Sequence, residues 1–342
     1  MLADVHTPLE LSGEQLDDYL ERGWFRAGRT IFTTNFLHFG GTLYPALWLR
    51  LILNDFELSK SQTKKVNATN RFTFEINPFA LTDEKEQLYT DYKTGIEFNT
   101  ASSLYQLLFD YQDIIPFNTY EVAAYDGDRL IGLGVFDMGK NAAAGIVSFT
   151  HPSYKKYSLG ATVILKKIQF AKEQGLELFY PGYFAPGYPA FDYKLSLGKS
   201  CTEFYDVTIN EWVSKISYDV RHDLVQVLYE KMNLVVEGLQ MLGVPRELLI
   251  YDFYDLNLTL QFNGQQLFDI PLIVPIRQQH KYQIDVITYD LLTQKYQIID
   301  CEVVYYLPKP TARFGHFNQN ILRRKRLIKE AANIDDLLNL NT

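Results

Sequence analysis

Regular alternation of apolar and polar positions begins near residue 71. "RFTFEINPF" puts Phe72, Phe74 and Ile76 on one face, which predicts a half-buried strand. "TDEKEQLYTDYKTG" then reads as a helix capped at Thr82 and ended by Gly95, and "LYQLLFDY" continues helically. In "YEVAAYDGDRLIGLGVFDMG", two strand-forming runs flank Asp126-Gly127, the dipeptide of a tight hairpin. "AAAGIVSFTHP" predicts another strand, residues 158–174 an amphipathic helix, and "LELFYPGYF" a further strand. A strand, a helix of that length and a strand predict a crossover between parallel neighbours.

The flanking regions differ. Residues 1–68 read as an irregular opening, apart from a short helix in "SGEQLDDYLERG" capped by Ser12, with Gln15 three residues on and Gly23 at its end. Beyond about residue 208 the apolar spacing of Trp212, Ile216, Val220, Leu224 and Leu228 predicts a helix. Alternating stretches follow, among them "LNLTLQF", "YQIDVITYD" and "KYQIIDCEVVYYL", and "NQNILRRKRLIKEAAN" reads as a basic closing helix. The expected organisation is an amino-terminal segment (1–68), an α/β domain (69–207) and a carboxyl-terminal α+β domain rich in antiparallel strands (208–342). A chain of 342 residues accommodates it.

Composition narrows the classes. No apolar run approaches the roughly 20 residues of a membrane span, and no leader-like stretch opens the chain, so the reading is cytoplasmic with no membrane partner. Two cysteines supply neither a disulfide framework nor a metal cluster, so no metal site is expected. A net charge of −8 argues against a protein coated in nucleic acid, DNA included, but permits a local basic site. Basic residues cluster at Lys60, Lys64 and Lys65, at Lys155 and Lys156, and at Arg323–Arg326 with Lys329.

The most informative stretch is "HPSYKKYSLGATVILKKIQFAKEQG", residues 151–175. Either Ser158 is a simple helix cap, or the amides around Ser158, Leu159 and Gly160 are left free for an anion beyond the end of the preceding strand. A glycine near a helix start after a strand is also how GNAT acyltransferases hold a pyrophosphate, although Tyr157 stands where their signature has a basic residue or Gln.

Five motifs in order resemble the arginyl- and leucyl-tRNA–protein transferases: "LDDYLERGWFRAGR", "FELSKSQTKKVNATN", "DRLIGLGVFDMG", "YKKYSLGATVILKKIQFAKEQGL" and "YPGYFAPGYPAFDYKLSLG". They span roughly residues 16–200. The family's amino-terminal segment usually carries cysteines, and this one has none. The resemblance implies a GNAT-like mixed sheet with flanking helices. It implies transfer of Arg or Leu from charged tRNA, the co-substrate, to the amine of an acceptor protein or peptide that begins with an acidic residue. No further cofactor is implied. Asp137 is then the candidate to accept a proton from the amine or anchor it, as against a turn aspartate. Tyr183 is the candidate to donate to the oxyanion or stack on adenine, whereas Tyr180 reads as packing and His151 as a turn residue. Lys60, Ser61, Gln62, Lys64, Lys65 and Arg71 are candidates for tRNA phosphate or the acceptor's acidic side chain, with Lys155, Lys156 and Tyr157 at the helix start. Lys194 is a further anion contact. An acyl-CoA-dependent N-acyltransferase and a non-catalytic module retaining the fold are the competing readings.

Overall fold

The computed structural model describes residues 3–39, 41–96, 100–214, 223–251, 267–306, 317–318 and 320–339. The opening segment is more regular than its sequence suggests. Strands β1 (Ala3–His6), β2 (Phe25–Ala27) and β3 (Thr30–Thr34) form a small antiparallel sheet, with helix α1 (Gly13–Glu21) between the first two. The α1 start is the capping box its sequence predicts. The Ser12 hydroxyl accepts from Gln15 N–H, and the Gln15 side-chain Oε1 accepts from Ser12 N–H at 2.8 Å. A hairpin of β4 (Phe36–Phe39) and β5 (Thr42–Pro45) follows, and β6 (Leu47–Ile52) leaves this segment for the main sheet.

After β6 come α2 (Lys60–Ala68), β7 (Thr73–Pro78), α3 (Asp83–Lys93), α4 (Leu104–Phe109), β8 (Thr119–Asp126), β9 (Arg129–Met138) and β10 (Ala142–Thr150). A 3-10 turn (Pro152–Tyr157) leads into α5 (Leu159–Glu173) and β11 (Leu178–Phe184). A second 3-10 segment (Pro189–Ser196) precedes β12 (Thr202–Asp206) and β13 (Glu211–Ser214). The eight-stranded sheet runs β13-β12-β6-β11-β10-β9-β8-β7. Its neighbours are antiparallel except β10 and β11, the parallel pair that the α5 crossover requires. This is a GNAT-like core. On one face α5 buries Val163, Leu165 and Ile168 against Phe136, Ala143 and Phe179. Each such side chain contributes roughly 1.5–3 kcal/mol. The other face meets Trp24, Phe25 and Trp48 of the amino-terminal segment through Ala142, Ala144 and Tyr180.

The parallel pair does not stay paired. Ala142–Ala144 match Leu178–Tyr180, and pairing stops there. At the same level β10 shifts register against β9 between Gly145 and Val147, and β11 shifts against β6 between Phe179 and Gly182. Pro181 has no N–H to offer a neighbour. The sheet therefore opens into a split towards the carboxyl ends of β10 and β11, beside the start of α5.

The carboxyl-terminal domain has α6 (Leu224–Met241), β14 (Leu249–Tyr251), β15 (Leu272–His280), β16 (Gln283–Asp290), β17 (Lys295–Tyr306), β18 (Phe317–Asn318), β19 (Asn320–Ala331) and α7 (Ile334–Leu338). Its sheet order is β18-β14-β15-β16-β17-β19, antiparallel except for β14 and β18. Two expectations are corrected. The helix begins at Leu224, whereas Trp212 lies in β13 and donates through its indole N–H to the Glu21 carbonyl. The basic run is strand β19, not a helix. Ile321 and Leu322 are buried against the sheet, Lys295 meets Glu330 at 2.6 Å, and Arg326 meets Asp300 at 3.3 Å. Cross-strand partners far away in sequence override local helix preference here. Ile216, Val220 and "LNLTLQF" lie outside the described residues.

Candidate active site

The approach to α5 takes an unusual backbone path. Ser158 adopts the left-handed conformation (φ 55°), and its side chain makes no cap hydrogen bond. The first intrahelical bond from this end is Thr162 N–H to the Ser158 carbonyl, at 3.2 Å. The preceding amides, at Leu159, Gly160 and Ala161, have no partner within the helix, as helix geometry dictates. Among the described residues, a Cβ placed on Gly160 would meet the Thr150 methyl alone, at 4.0 Å, so space lies open over this turn. Leu159 contributes its amide only, since its side chain is buried in the core.

Basic groups gather beside this turn. Lys155 and Lys156 are exposed. The Lys156 amine lies 5.0 Å from the centre of the Tyr157 ring, and the Arg71 guanidinium 5.8 Å. Arg71 also stands 3.8 Å from Asp126. Helix α2 spans roughly 13 Å at 1.5 Å per residue, which separates its two ends. Its carboxyl end meets α5, where Thr69 Oγ1 lies 3.5 Å from Thr162 Oγ1. Its amino end is tied elsewhere: Gln62 Nε2 donates to the Ser196 and Leu197 carbonyls, and Gln62 Oε1 accepts from Ser59 N–H. Gln62 thus clamps the amino end of α2 to the second 3-10 segment through its side-chain amide. Lys60, Ser61 and Lys64 are exposed and Lys65 is half-buried. The first two stand at the clamped end, away from Arg71 and Lys156.

His151 is a turn residue, as its sequence suggests. Its Nδ1 accepts from Ser153 N–H, and Nε2 lies 2.9 Å from Arg129 Nη2. Tyr180 is a packed residue whose hydroxyl donates to Glu21.

Asp137 lies on β9 with no exposed surface. Its Oδ1 accepts from Arg26 Nη1 and from Thr119 Oγ1, both at 2.7 Å, while Oδ2 has no hydrogen-bond partner among the described residues. Burial pushes the carboxyl above its ordinary value, against the opposing pull of Arg26. Arg26 also donates to the Gly28 and Leu108 carbonyls and stacks on Phe117 at 4.5 Å. A carboxylate so enclosed, with a guanidinium on it, is an anchor for Arg26. Arg26 was not among the sequence candidates, although it falls within the motif "LDDYLERGWFRAGR".

Two lysines occupy the split. Lys167 reaches from α5 to the carbonyls of Val135 and Val147, at 3.3 and 3.2 Å, the pair that follows the register shift between β9 and β10. Lys194, from the second 3-10 segment, donates to the Tyr183 carbonyl at 2.7 Å. Gly182, at φ 83°, admits that amine; a Cβ there would sit 3.2 Å from it. Burial pushes Lys194 down to about 7. Burial, and then the charge of Lys194, push Lys167 down to about 7, against a smaller pull from Asp137. The Tyr183 ring is half-buried between Trp48 and Phe191, and among the described residues nothing hydrogen-bonds its hydroxyl. Burial raises that phenol, so it stays protonated and can donate.

Residues 84–202 match the family model described as arginine-tRNA-protein transferase, C terminus. The chain is 30% identical over 198 residues to an aspartate/glutamate leucyltransferase of Leptospira interrogans, covering 55% of this chain and 73% of that protein. It is 29% identical over 184 residues to the enzyme of that description from Helicobacter hepaticus, covering 51% and 73%. The chain belongs to the arginyl/leucyl-tRNA–protein transferase family. Among solved structures, the carboxyl-terminal domain of a putative lysylphosphatidylglycerol synthetase from Agrobacterium fabrum aligns at 15% identity and a TM-score of 0.33, over 41% of this chain and 47% of that one. Residues 208–342 lie outside the family-model match.

Proposed function

We propose that this protein moves an aminoacyl group, Arg or Leu, from charged tRNA to the α-amine of a protein or peptide whose first residue is acidic. The observation that carries this reading is the uncapped start of α5, with open space over Gly160 and basic groups beside it, in a member of this family. The amine attacks the ester carbonyl, a C–N bond forms, and the C–O bond to the ribose breaks. The attacking nitrogen gives up one proton as the amide forms, and the departing ribose oxygen takes one up. An α-amine of pKa near 8 is already partly neutral, so no covalent enzyme intermediate is needed.

In this reading the site positions substrates and stabilises the oxyanion. The amides of Leu159 and Gly160 and the hydroxyl of Tyr183 are the donors. Lys155, Lys156 and Arg71, with Tyr157, hold phosphate near the RNA 3′ end, and Lys64 and Lys65 extend that surface. Lys60 and Ser61 contact RNA further away. Asp137 acts by holding Arg26, and through it β2, against the sheet.

The experiment is transfer of labelled Arg or Leu from charged tRNA to a peptide beginning with Asp. Label on the peptide amine is the expected result. Transfer from acyl-CoA, with none from tRNA, would replace this reading with that of an acyl-CoA-dependent enzyme.

A further inference from the structure

Among the described residues, the buried lysines and arginines are Arg26, Lys85, Lys167 and Lys194. Arg26 has Asp137 at 2.7 Å, and Lys85 has Glu121 at 2.6 Å. Lys167 and Lys194 bond only to carbonyls. They are close enough for one charge to depress the other. A buried cation without an anion is costly. Here the two amines stand at the glycines of the parting strands, Lys167 3.5 Å from a Cβ placed on Gly145 of β10 and Lys194 3.2 Å from one placed on Gly182 of β11, while Asp137 near Lys167 gives its Oδ1 to Arg26.

We propose that Lys194 and Lys167 form the receptor for the carboxylate side chain of the acceptor's first residue, with Lys194 making the direct contact. This rests on the transferase reading and names the part of the site that reads an acidic acceptor. Exposed lysines give little discrimination, because water screens them. A desolvated amine gives much more, since a neutral isostere leaves it unpaired. Lys194 keeps 9% of its surface and lies between the rings of Tyr183 and Phe191, each centred 5.1 Å from the amine. The walls are therefore apolar and the polar contact singular.

Protonation follows from the same arrangement. Among the described residues, the charged and titratable groups near Lys194 include Lys167 from α5, Tyr183 from β11 with Tyr188 beside that phenol, and Asp192 and Tyr193 next to it in the chain; Asp137, which holds Arg26, acts on Lys167. Both amines sit at about 7, so a bound carboxylate draws a proton onto them.

The test is calorimetric binding of peptides beginning with Asp or Asn to the full chain, near pH 7.5, in buffers of different ionisation enthalpy. Tighter binding of the Asp peptide is expected, with uptake of a fraction of a proton that the Asn peptide does not cause. Lys194→Met should lower Asp-peptide affinity by about 10²-fold and leave the Asn peptide unchanged, with Lys194→Arg recovering part. Equal binding of the two peptides by the wild type, or an equal loss for both in Lys194→Met, overturns the proposal. Because binding is read without catalysis, discrimination without transfer would overturn the proposed reaction and leave the receptor standing. If Lys194→Met does not fold, the wild-type proton uptake and peptide discrimination still decide.

Discussion

Arg26 donates to Asp137 at 2.7 Å across a separation of 111 residues, with both side chains 1% exposed. This pair fastens the small amino-terminal sheet to β9, the antiparallel neighbour of β10. Removing one partner strands a buried charge. Asp137→Ala is therefore expected to cost about 3–5 kcal/mol, read as a lowered denaturation midpoint. A midpoint unchanged to within half a kilocalorie, with turnover abolished, would instead return Asp137 to the chemistry.

The amines in the split give stability a pH dependence of definite sign. Both Lys167 and Lys194 fall to about 7 in the folded chain, from about 10.5 when unfolded. Between those values the unfolded state binds more protons, so stability rises with pH over that window. Below 7 both states carry the charge, and the cost of burying it is borne in full. Wild-type Tm should climb from pH 7 to pH 9 more steeply than that of Lys194→Met. Parallel profiles would show that the amines are not depressed.

The open turn at Gly160 separates stability from binding. Its Cβ position is clear to 4.0 Å, and Ala is a better helix former than Gly by up to about 1 kcal/mol. Gly160→Ala should fold at least as stably as the wild type. If a ligand approaches that backbone, the variant binds an acceptor-stem RNA more weakly. Unchanged RNA affinity would place the RNA end elsewhere.

Charge beside the turn should appear in salt dependence. Replacing Lys155 and Lys156 by Ala is expected to weaken RNA binding and flatten log K against log salt by about one unit per lost phosphate contact. An unaltered slope would remove these exposed lysines from the interface.

Much of the fold was legible because local signals agreed with it. Asp126-Gly127 makes the β8–β9 turn, Ser12 and Gln15 make the predicted box, and the apolar stripe of α5 faces the sheet. β19 was not legible, because its arginines and lysines find carboxylates on β17, which no local pattern reveals. In the site, the uncapped turn and Lys194 were visible from motif and charge. Arg26 and Lys167 were not. Arg26 gains its meaning from Asp137 at long range, and Lys167 from a register shift in β10. A signal for Lys167 did exist: it follows Val163 by four residues on the buried stripe, where a lysine calls for an explanation.

The most direct measurement is transfer of labelled Arg or Leu from charged tRNA to two peptides differing only in an initial Asp or Asn. Label on the Asp peptide is expected, with kcat/KM favouring it by roughly 10²-fold in the wild type and little preference in Lys194→Met. Transfer to neither peptide from either charged tRNA, by protein shown to be folded, would contradict it.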